Sequence, residues 1–257
     1  YKRQELSLTE LDDTCSRGPV VAILPLGAIE AHGPHLPVGT DVWIAEAMAR
    51  DGAERLGAEG IAVLILPPLA YAPAPFANAH AGTLSIRPET LTALVVDLGS
   101  AIAQRGVAML ALANSHFDPQ QIAALRSAVH ALRAAGRLKV AFPDLTRRRL
   151  AERLGEEFRS GACHAGRYES SIVLAERPDL VDRYVAQIVN AARWSQANRV
   201  PTVQSFANEV GTSYEWAEAA YGPRSHELLT PSLDVELVAA AKPTRSFWGS
   251  PRFQCNK

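Results

Sequence analysis

The chain has 257 residues, of which 47% are hydrophobic and 21% charged, and its formal net charge is -1 at pH 7. This composition excludes wholesale disorder and predicts a single folded domain over residues 1–257. No block of like charge and no apolar stretch of membrane-spanning length occurs, so we expect neither a nucleic-acid partner nor a membrane. Three scattered cysteines and an N-terminal segment without an apolar signal-peptide core predict a cytoplasmic location.

The first part of the chain alternates short apolar runs with a longer amphipathic segment. Residues 20–26 and 61–66 are continuous apolar runs whose length suits strands covered on both faces. Between them, apolar residues at helical spacing predict a helix that Thr40 caps.

The same alternation continues along the chain. A helix over residues 91–102 follows Pro88, which suits a first helical turn, and a strand is predicted at 107–112. Asp118, a capping residue followed by proline, begins another helix, and a last strand lies at 138–142. Strands that alternate with helices predict an α/β fold with a mostly parallel, doubly wound sheet. In such a sheet, ligands bind beyond the carboxyl ends of the strands.

Residues with metal-binding side chains follow the first strand. Glu30 and His32 are two positions apart, so in extended backbone their side chains point to the same side. Glycine and proline residues after them allow the sharp turn that brings back Asp41, whose carboxylate can bridge two metals. The alternative is that the first two are polar loop residues and the third is a favourable acid near a helix N-terminus.

The strand at 107–112 also ends in polar residues. His116 and Asp118 emerge just beyond it, again where a doubly wound sheet places ligands. A plain loop histidine is the alternative for His116. For Asp118, metal ligation and helix capping stay equally open.

A third polar group precedes an apolar helical run at 172–175. It contains His164 and Glu169, which by spacing alone are explained by a surface histidine and an acid in a first helical turn. The group gains weight only because the other two are present. Cys163 beside His164 does not indicate a thiol nucleophile, since residues adjacent in sequence rarely form such a pair.

These motifs resemble those of the creatininase (creatinine amidohydrolase) family. The longest similar stretch is residues 24–41, and shorter ones follow in the family's order at 81–86, 114–116 and 164–171. The resemblance implies a three-layer α/β/α fold, a homo-oligomer that is often a hexamer, and two divalent metal ions per chain, which are zinc, manganese or iron.

The resemblance also implies a place for each metal ligand. Asp41 would bridge the two ions. Glu30 and His116 would bind one of them, and His32 would bind the other. Two adjacent metals can hold a bridging hydroxide and polarise a carbonyl, so the implied activity is hydrolysis of a C–N bond in a small amide or lactam.

The last ligand and the proton-transferring groups are less definite. In creatininase the last ligand is an acid two residues beyond the His116 position, here Asp118, while Glu169 is the alternative. The chain has both acids, and whichever does not bind metal is a candidate for moving a proton. His164 is the candidate for orienting the substrate or protonating the leaving nitrogen.

The chain departs from the family pattern near the expected pocket. Residues 71–77 keep the tyrosine of the family's Tyr-Gly-x-Ser-x-Glu-His but have Phe76 and Ala77 in place of its final Glu-His. In addition, Ser115 replaces the glycine that precedes the His116 position. We therefore expect a substrate less polar than creatinine. The predicted substrate contacts are Tyr71, Phe76, His80 and His164.

Two other functions stay open. One is a creatininase-like peptidase or deformylase that acts on a modified peptide or a formamide, and the other is a non-catalytic relative that binds a small molecule. The sequence does not identify the role of residues 202–257, for which loops or a short hairpin, and a final helix near 233–241, are predicted.

Overall fold

The structure is a computed structural model that describes residues 3–33, 35–151, 153, 157–158, 164–181 and 213. Its strands are β1 (Val20–Leu26), β2 (Ala62–Ile65), β3 (Val107–Asn114) and β4 (Lys139–Ala141). Its helices are α1 (Leu8–Ser16), α2 (Thr40–Ala58), α3 (Pro88–Ala103), α4 (Pro119–Ala134), α5 (Arg148–Ala151) and α6 (Arg167–Glu176). Short 3-10 helices lie at Arg3–Glu5 and Pro75–Ala77.

The four strands form one parallel sheet in the order β2-β1-β3-β4. The chain moves from β1 outward to β2, then returns to place β3 on the other side of β1. The strand order therefore reverses between β1 and β3, which is the point where parallel α/β sheets bind ligands. Because Leu26 is in register with Asn114, the carboxyl ends of these two strands lie side by side.

Helices cover both faces of this sheet. On one face, Leu24 of β1 shares a buried cluster with Leu91 of α3 and Leu125 of α4. Ile23, the preceding residue of the strand, shares a second cluster with Ala49 of α2. Successive strand residues point to opposite faces, so these two clusters form the two sides of a three-layer α/β/α sandwich. The predicted fold class is confirmed.

The predicted N-cap is confirmed for α4 but not for α2. Asp118 is the N-cap of α4, and its side chain accepts a hydrogen bond from the backbone N–H of Gln120 at 2.7 Å. The prediction that Thr40 caps α2 is wrong, because the N-cap is Gly39. The Thr40 hydroxyl instead donates to the carbonyl of Pro37 at 2.7 Å, which fixes the loop before the helix.

The predicted hairpin and helix after residue 202 lie outside the described residues. The described residues up to Glu176 belong to one compact unit, and those at 177–181 and 213 belong to a second, so a single domain over 1–257 stays a prediction. None of the helices in the described part of the chain has both the length and the apolar character needed to cross a membrane.

We predict that Gly99→Ala lowers the free energy of unfolding by about 1–3 kcal/mol, because it overpacks the contact between α3 and α4. A Cβ at Gly99 would lie 2.7 Å from Cδ1 of Leu132, which is itself only 3% exposed. The matched control is Gly57→Ala in α2, where a Cβ would meet nothing within 4 Å. Alanine is the better helix former by about 1 kcal/mol, so the control should be neutral or stabilising. Urea denaturation distinguishes the two, and equal stabilities would contradict the close α3–α4 contact.

Candidate metal centre

Five buried side chains converge beyond the adjoining ends of β1 and β3. Glu30 and His32 lie in the loop after β1, and His116 follows β3. Asp41 and Glu169 lie in the first turns of α2 and α6. The most exposed of the five has a relative exposure of 4%.

The loop after β1 is held in place by backbone hydrogen bonds. Gly33 has a positive φ of 68°, a conformation that glycine adopts without strain, and here the chain turns back towards α2. The N–H of Glu30 donates to the carbonyl of Val38 at 3.0 Å. The N–H of Ala31 donates to Oγ1 of Thr83 at 3.1 Å, which ties the loop to the segment before α3.

Asp41 lies between two groups of possible ligand atoms. Nδ1 of His116 lies 3.1 Å from its Oδ2 and 3.0 Å from Oε1 of Glu30. Nε2 of His32 lies 3.3 Å from its other oxygen, Oδ1, and 3.7 Å from Oε2 of Glu169. In each group the three ligand atoms lie within 4.8 Å of one another. The two oxygens of one carboxylate therefore face two different histidines, as a bridging ligand requires.

Backbone carbonyls orient both imidazole rings. Nδ1 of His32 lies 3.1 Å from the carbonyl oxygen of Glu30, and Nε2 of His116 lies 2.8 Å from that of Pro73. Because a carbonyl only accepts hydrogen bonds, these nitrogens carry the proton. In the neutral ring, the nitrogen that faces the carboxylates then presents a lone pair, which is the form of histidine that binds metals.

Two atoms at the centre of the cluster have unused bonding capacity. Nε2 of His32 and Oδ2 of Asp41 are buried and have no hydrogen-bond partner among the described residues. The approach of His116 to that oxygen does not meet hydrogen-bond geometry. Buried polar atoms without partners are rare. A divalent cation among these nitrogen and oxygen donors would satisfy both atoms, so the residues fit the metal site that the resemblance implies.

With only the protein's own groups present, protons offset the buried charge. Burial lowers the pKa of His32, but Asp41 and the neighbouring glutamates outweigh it and raise that pKa to about 9. Burial raises the pKa of Glu169 to about 8, although the charge of His32 opposes the shift. Burial also favours the neutral form of Asp41, yet the two histidines hold its pKa far below the ordinary value.

His164 lies at the edge of this cluster. Its Nε2 donates to the carbonyl of Ala31 at 2.8 Å, and its Nδ1 lies 3.6 Å from Oε1 of Glu30. The ring centroid lies 4.3 Å from that of His32. Burial, together with the charge of His32, lowers the pKa of His164, so its imidazole is neutral at pH 7. The structure thus brings this predicted catalytic residue to the predicted ligands.

The two acids that the sequence left open lie in different places. Oε2 of Glu169 accepts the N–H of Ala165 at 2.5 Å and points into the group around His32. Asp118 caps α4 through Oδ1, while its buried Oδ2 has no hydrogen-bond partner among the described residues. Burial raises the pKa of Asp118. Asp118 is not a member of the three groups of converging ligand atoms found among the described residues.

The predicted substrate residues of segment 71–80 lie beside the cluster with their side chains towards solvent. Tyr71 is 56% exposed and Phe76 is 53% exposed, and His80 is exposed as well. The segment is joined to the cluster by its backbone, through the hydrogen bond from His116 to Pro73.

One supporting residue was missed in the sequence. Gln121 of α4 is completely buried, and its Nε2 donates to Oδ1 of Asn114 at 3.0 Å. Nδ2 of Asn114 in turn donates to the carbonyl of His116 at 2.7 Å. The available signal was a polar residue on the apolar stripe of a helix, one turn before Leu125.

The parallel α/β sandwich and the buried acid–histidine cluster at its strand ends agree with the arrangement that the sequence motifs imply. A family model described as creatinine amidohydrolase matches residues 4–225. The chain belongs to the creatininase family, as its motifs predict.

Similar proteins of two kinds are known. The chain is 35% identical to the mycofactocin precursor peptide peptidase of Mycobacterium tuberculosis over 184 residues, which are 70% of this chain and 64% of that protein. It therefore spans less than two thirds of that relative. It is 31% identical to the creatinine amidohydrolase of Pseudomonas putida over 193 residues, which are 69% of this chain and 72% of that protein.

Solved creatininase structures have the same fold. One crystal structure of creatinine amidohydrolase is 31% identical, with a TM-score of 0.57 and coverage of 69% of this chain and 73% of that one. A manganese form of creatininase is 30% identical at the same TM-score and coverage. A Zn–Zn form of a creatininase mutant is 28% identical, with a TM-score of 0.54 and that same coverage.

We predict that zinc binding to metal-free protein releases protons near pH 7. The pKa of about 9 for His32 and of about 8 for Glu169 mean that both groups are protonated there and have to lose the proton to bind a cation. Protons compete below these values, so the apparent affinity should rise with pH between 7 and 9. Calorimetric titrations in two buffers of different ionisation enthalpy measure the released protons. Equal heats in the two buffers would contradict the prediction.

Proposed function

We propose that the protein is a metal-dependent amidohydrolase that hydrolyses a C–N bond in an amide or lactam. The observation that carries the proposal is the carboxylate of Asp41, whose two oxygens face two histidines in a buried cluster. Membership in the creatininase family supports it. Zinc and manganese are the proposed metals, since related solved structures include forms with each.

The proposed ligand sets follow the two groups that share Asp41. Glu30 and His116 complete one set, and His32 and Glu169 complete the other. When bound, two divalent ions would supply Lewis acidity that activates water and polarises the substrate carbonyl. Asp41 suits the bridging position because His32 and His116 hold its pKa well below the ordinary value, which keeps its carboxylate ionised at neutral pH.

The chain's own groups move the protons of the reaction. Amide hydrolysis requires that water loses a proton and that the leaving nitrogen gains one. His164 is the proposed carrier. Its imidazole is neutral at pH 7 with the proton on Nε2, so Nδ1, which lies 3.6 Å from Oε1 of Glu30, presents a lone pair that can accept a proton from water and pass it on to the leaving nitrogen. Asp118, the acid outside the ligand sets, is the second candidate for proton transfer, since its pKa is raised.

Segment 71–77 favours a substrate less polar than creatinine. Phe76 and Ala77 stand where the family pattern ends in a polar pair, and the rings of Phe76 and Tyr71 are both exposed. Such a surface suits an apolar amide or lactam. It equally suits an apolar side chain of a peptide, and the mycobacterial relatives named as precursor peptide peptidases make a short peptide the second candidate substrate. Assembly as a homo-oligomer and a cytoplasmic location stay predictions.

The proposal predicts that purified wild-type protein binds about two equivalents of zinc or manganese and that Asp41→Asn loses one or both. The same preparations would be assayed for amine release from creatinine, apolar amides, lactams, a formamide and short peptides. We expect hydrolysis of an apolar amide or peptide by wild type and none by the variant. Circular dichroism and thermal unfolding of both proteins control for misfolding.

Two outcomes would contradict this proposal. A wild type that neither contains metal nor takes it up overturns the metal site. A wild type that holds two metals but hydrolyses nothing in the panel favours a relative that binds a small molecule without catalysis.

A matched pair of variants tests the choice between the two acids. We predict that Glu169→Gln binds about one metal equivalent fewer than wild type, since it removes a ligand of one ion. Asp118→Asn should keep both, and asparagine preserves the helix cap because it is as good an N-cap as aspartate. Elemental analysis after dialysis gives the two stoichiometries. The reverse pattern would show that Asp118, not Glu169, completes the site.

A further inference from the structure

Ser115 makes an unusual set of contacts just beyond β3. The residue is 2% exposed, and its backbone N–H donates to the carbonyl of Leu26 at 3.1 Å. Its Oγ lies 2.6 Å from the carbonyl oxygen of Asp41 and 3.3 Å from that of Leu26. A hydroxyl has one proton, and the shorter contact shows that it donates to Asp41.

These two bonds join the three segments on which the proposed ligands lie. Leu26 ends the strand that leads to Glu30 and His32, and Ser115 itself immediately precedes His116. The third segment is the first turn of α2, which contains Asp41. A single residue therefore fixes the backbone of all three segments relative to one another.

A second observation concerns the same turn of α2. A Cβ at Gly27 would lie 2.7 Å from the carbonyl carbon of Asp41 and 2.5 Å from the backbone nitrogen of Val42. The first turn of α2 thus rests directly on the chain that leaves β1. Ser115 attaches this turn to the end of β3, so the bridging residue is held from both central strands.

We propose that Ser115 is a positioning residue that sets the place of the bridging carboxylate of Asp41. The inference rests on the proposed function and adds to it a feature of this chain, because the family pattern has glycine at this position, which lacks the hydroxyl. Asp41 belongs to both ligand sets, so a shift of its backbone weakens both sites together. Removal of Glu169, in contrast, weakens only one.

The test compares Ser115→Ala and Ser115→Gly with a control that loses a similar bond elsewhere. Thr92→Val is the control, because Oγ1 of Thr92 bonds the carbonyls of Pro88 and Ala124 at 3.1 and 3.2 Å and links α3 to α4, neither of which contains a proposed ligand. Stepwise manganese affinities would be measured by titration. The spin coupling of the loaded manganese pair would be measured by electron paramagnetic resonance. Hydrogen exchange would follow the first turn of α2 in metal-free protein.

We expect both Ser115 variants to bind each of the two manganese ions about 10-fold more weakly and to show an altered spin coupling. Exchange in the first turn of α2 should become faster. Thr92→Val should lower the thermal stability and leave the affinities and the coupling as in wild type. The glycine variant carries the family's own residue at this position, which guards against a variant that fails to fold.

Wild-type affinities and coupling in both Ser115 variants would overturn the inference, and so would changes no larger than those of Thr92→Val. That result leaves the proposed function intact. A wild type that loads no manganese pair overturns the proposed function itself and is recognised before any variant is compared.

Discussion

The carboxylate of Asp41 between two imidazole nitrogens is the interaction around which the described structure is arranged. Three acids and two histidines, each at most 4% exposed, would be costly to bury as isolated charges. They are tolerated because opposite charges lie within 3.0 to 3.8 Å of one another. The same requirement for compensation raises the pKa of His32 and Glu169 and lowers that of Asp41. A divalent cation can bind these same groups, because it replaces the protons that otherwise compensate their charge.

The sheet topology explains why these residues meet although they are distant in sequence. Reversal of the strand order between β1 and β3 leaves a crevice at their carboxyl ends, into which the loops after both strands lead. The first turn of α2 lies close to the chain that leaves β1. It can approach so closely only because residue 27 is glycine, where a Cβ would collide with the backbone of α2. The position of Asp41 therefore depends on the absence of a side chain at residue 27, just after β1, as well as on its own helix.

Much of this arrangement was readable from the sequence, and the remainder has a physical reason. Continuous apolar runs predicted the four strands of the described residues, and the motif around Glu30 and His32 predicted two members of the buried cluster, since both signals are local. The choice between Asp118 and Glu169 could not be made from local sequence. It depends on how α6 packs against α2, which no spacing reveals. The cap at Thr40 was wrong because its hydroxyl has a competing acceptor in Pro37, and backbone acceptors such as this leave no mark in a sequence.

The two histidines are oriented by the protein's own hydrogen bonds, which distinguishes this cluster from sites whose ligands take up their positions only when a metal binds. The outward nitrogens of His32 and His116 donate to the carbonyls of Glu30 and Pro73, so the rings are fixed by the fold itself. The carbonyl of His116 is held in addition by a buried amide chain that reaches Gln121 in α4. In small zinc domains the free energy of metal binding is the free energy of folding. Here ring direction, tautomer and the spacing of the ligand segments come from hydrogen bonds within the protein, so a cation would enter a site that is already formed.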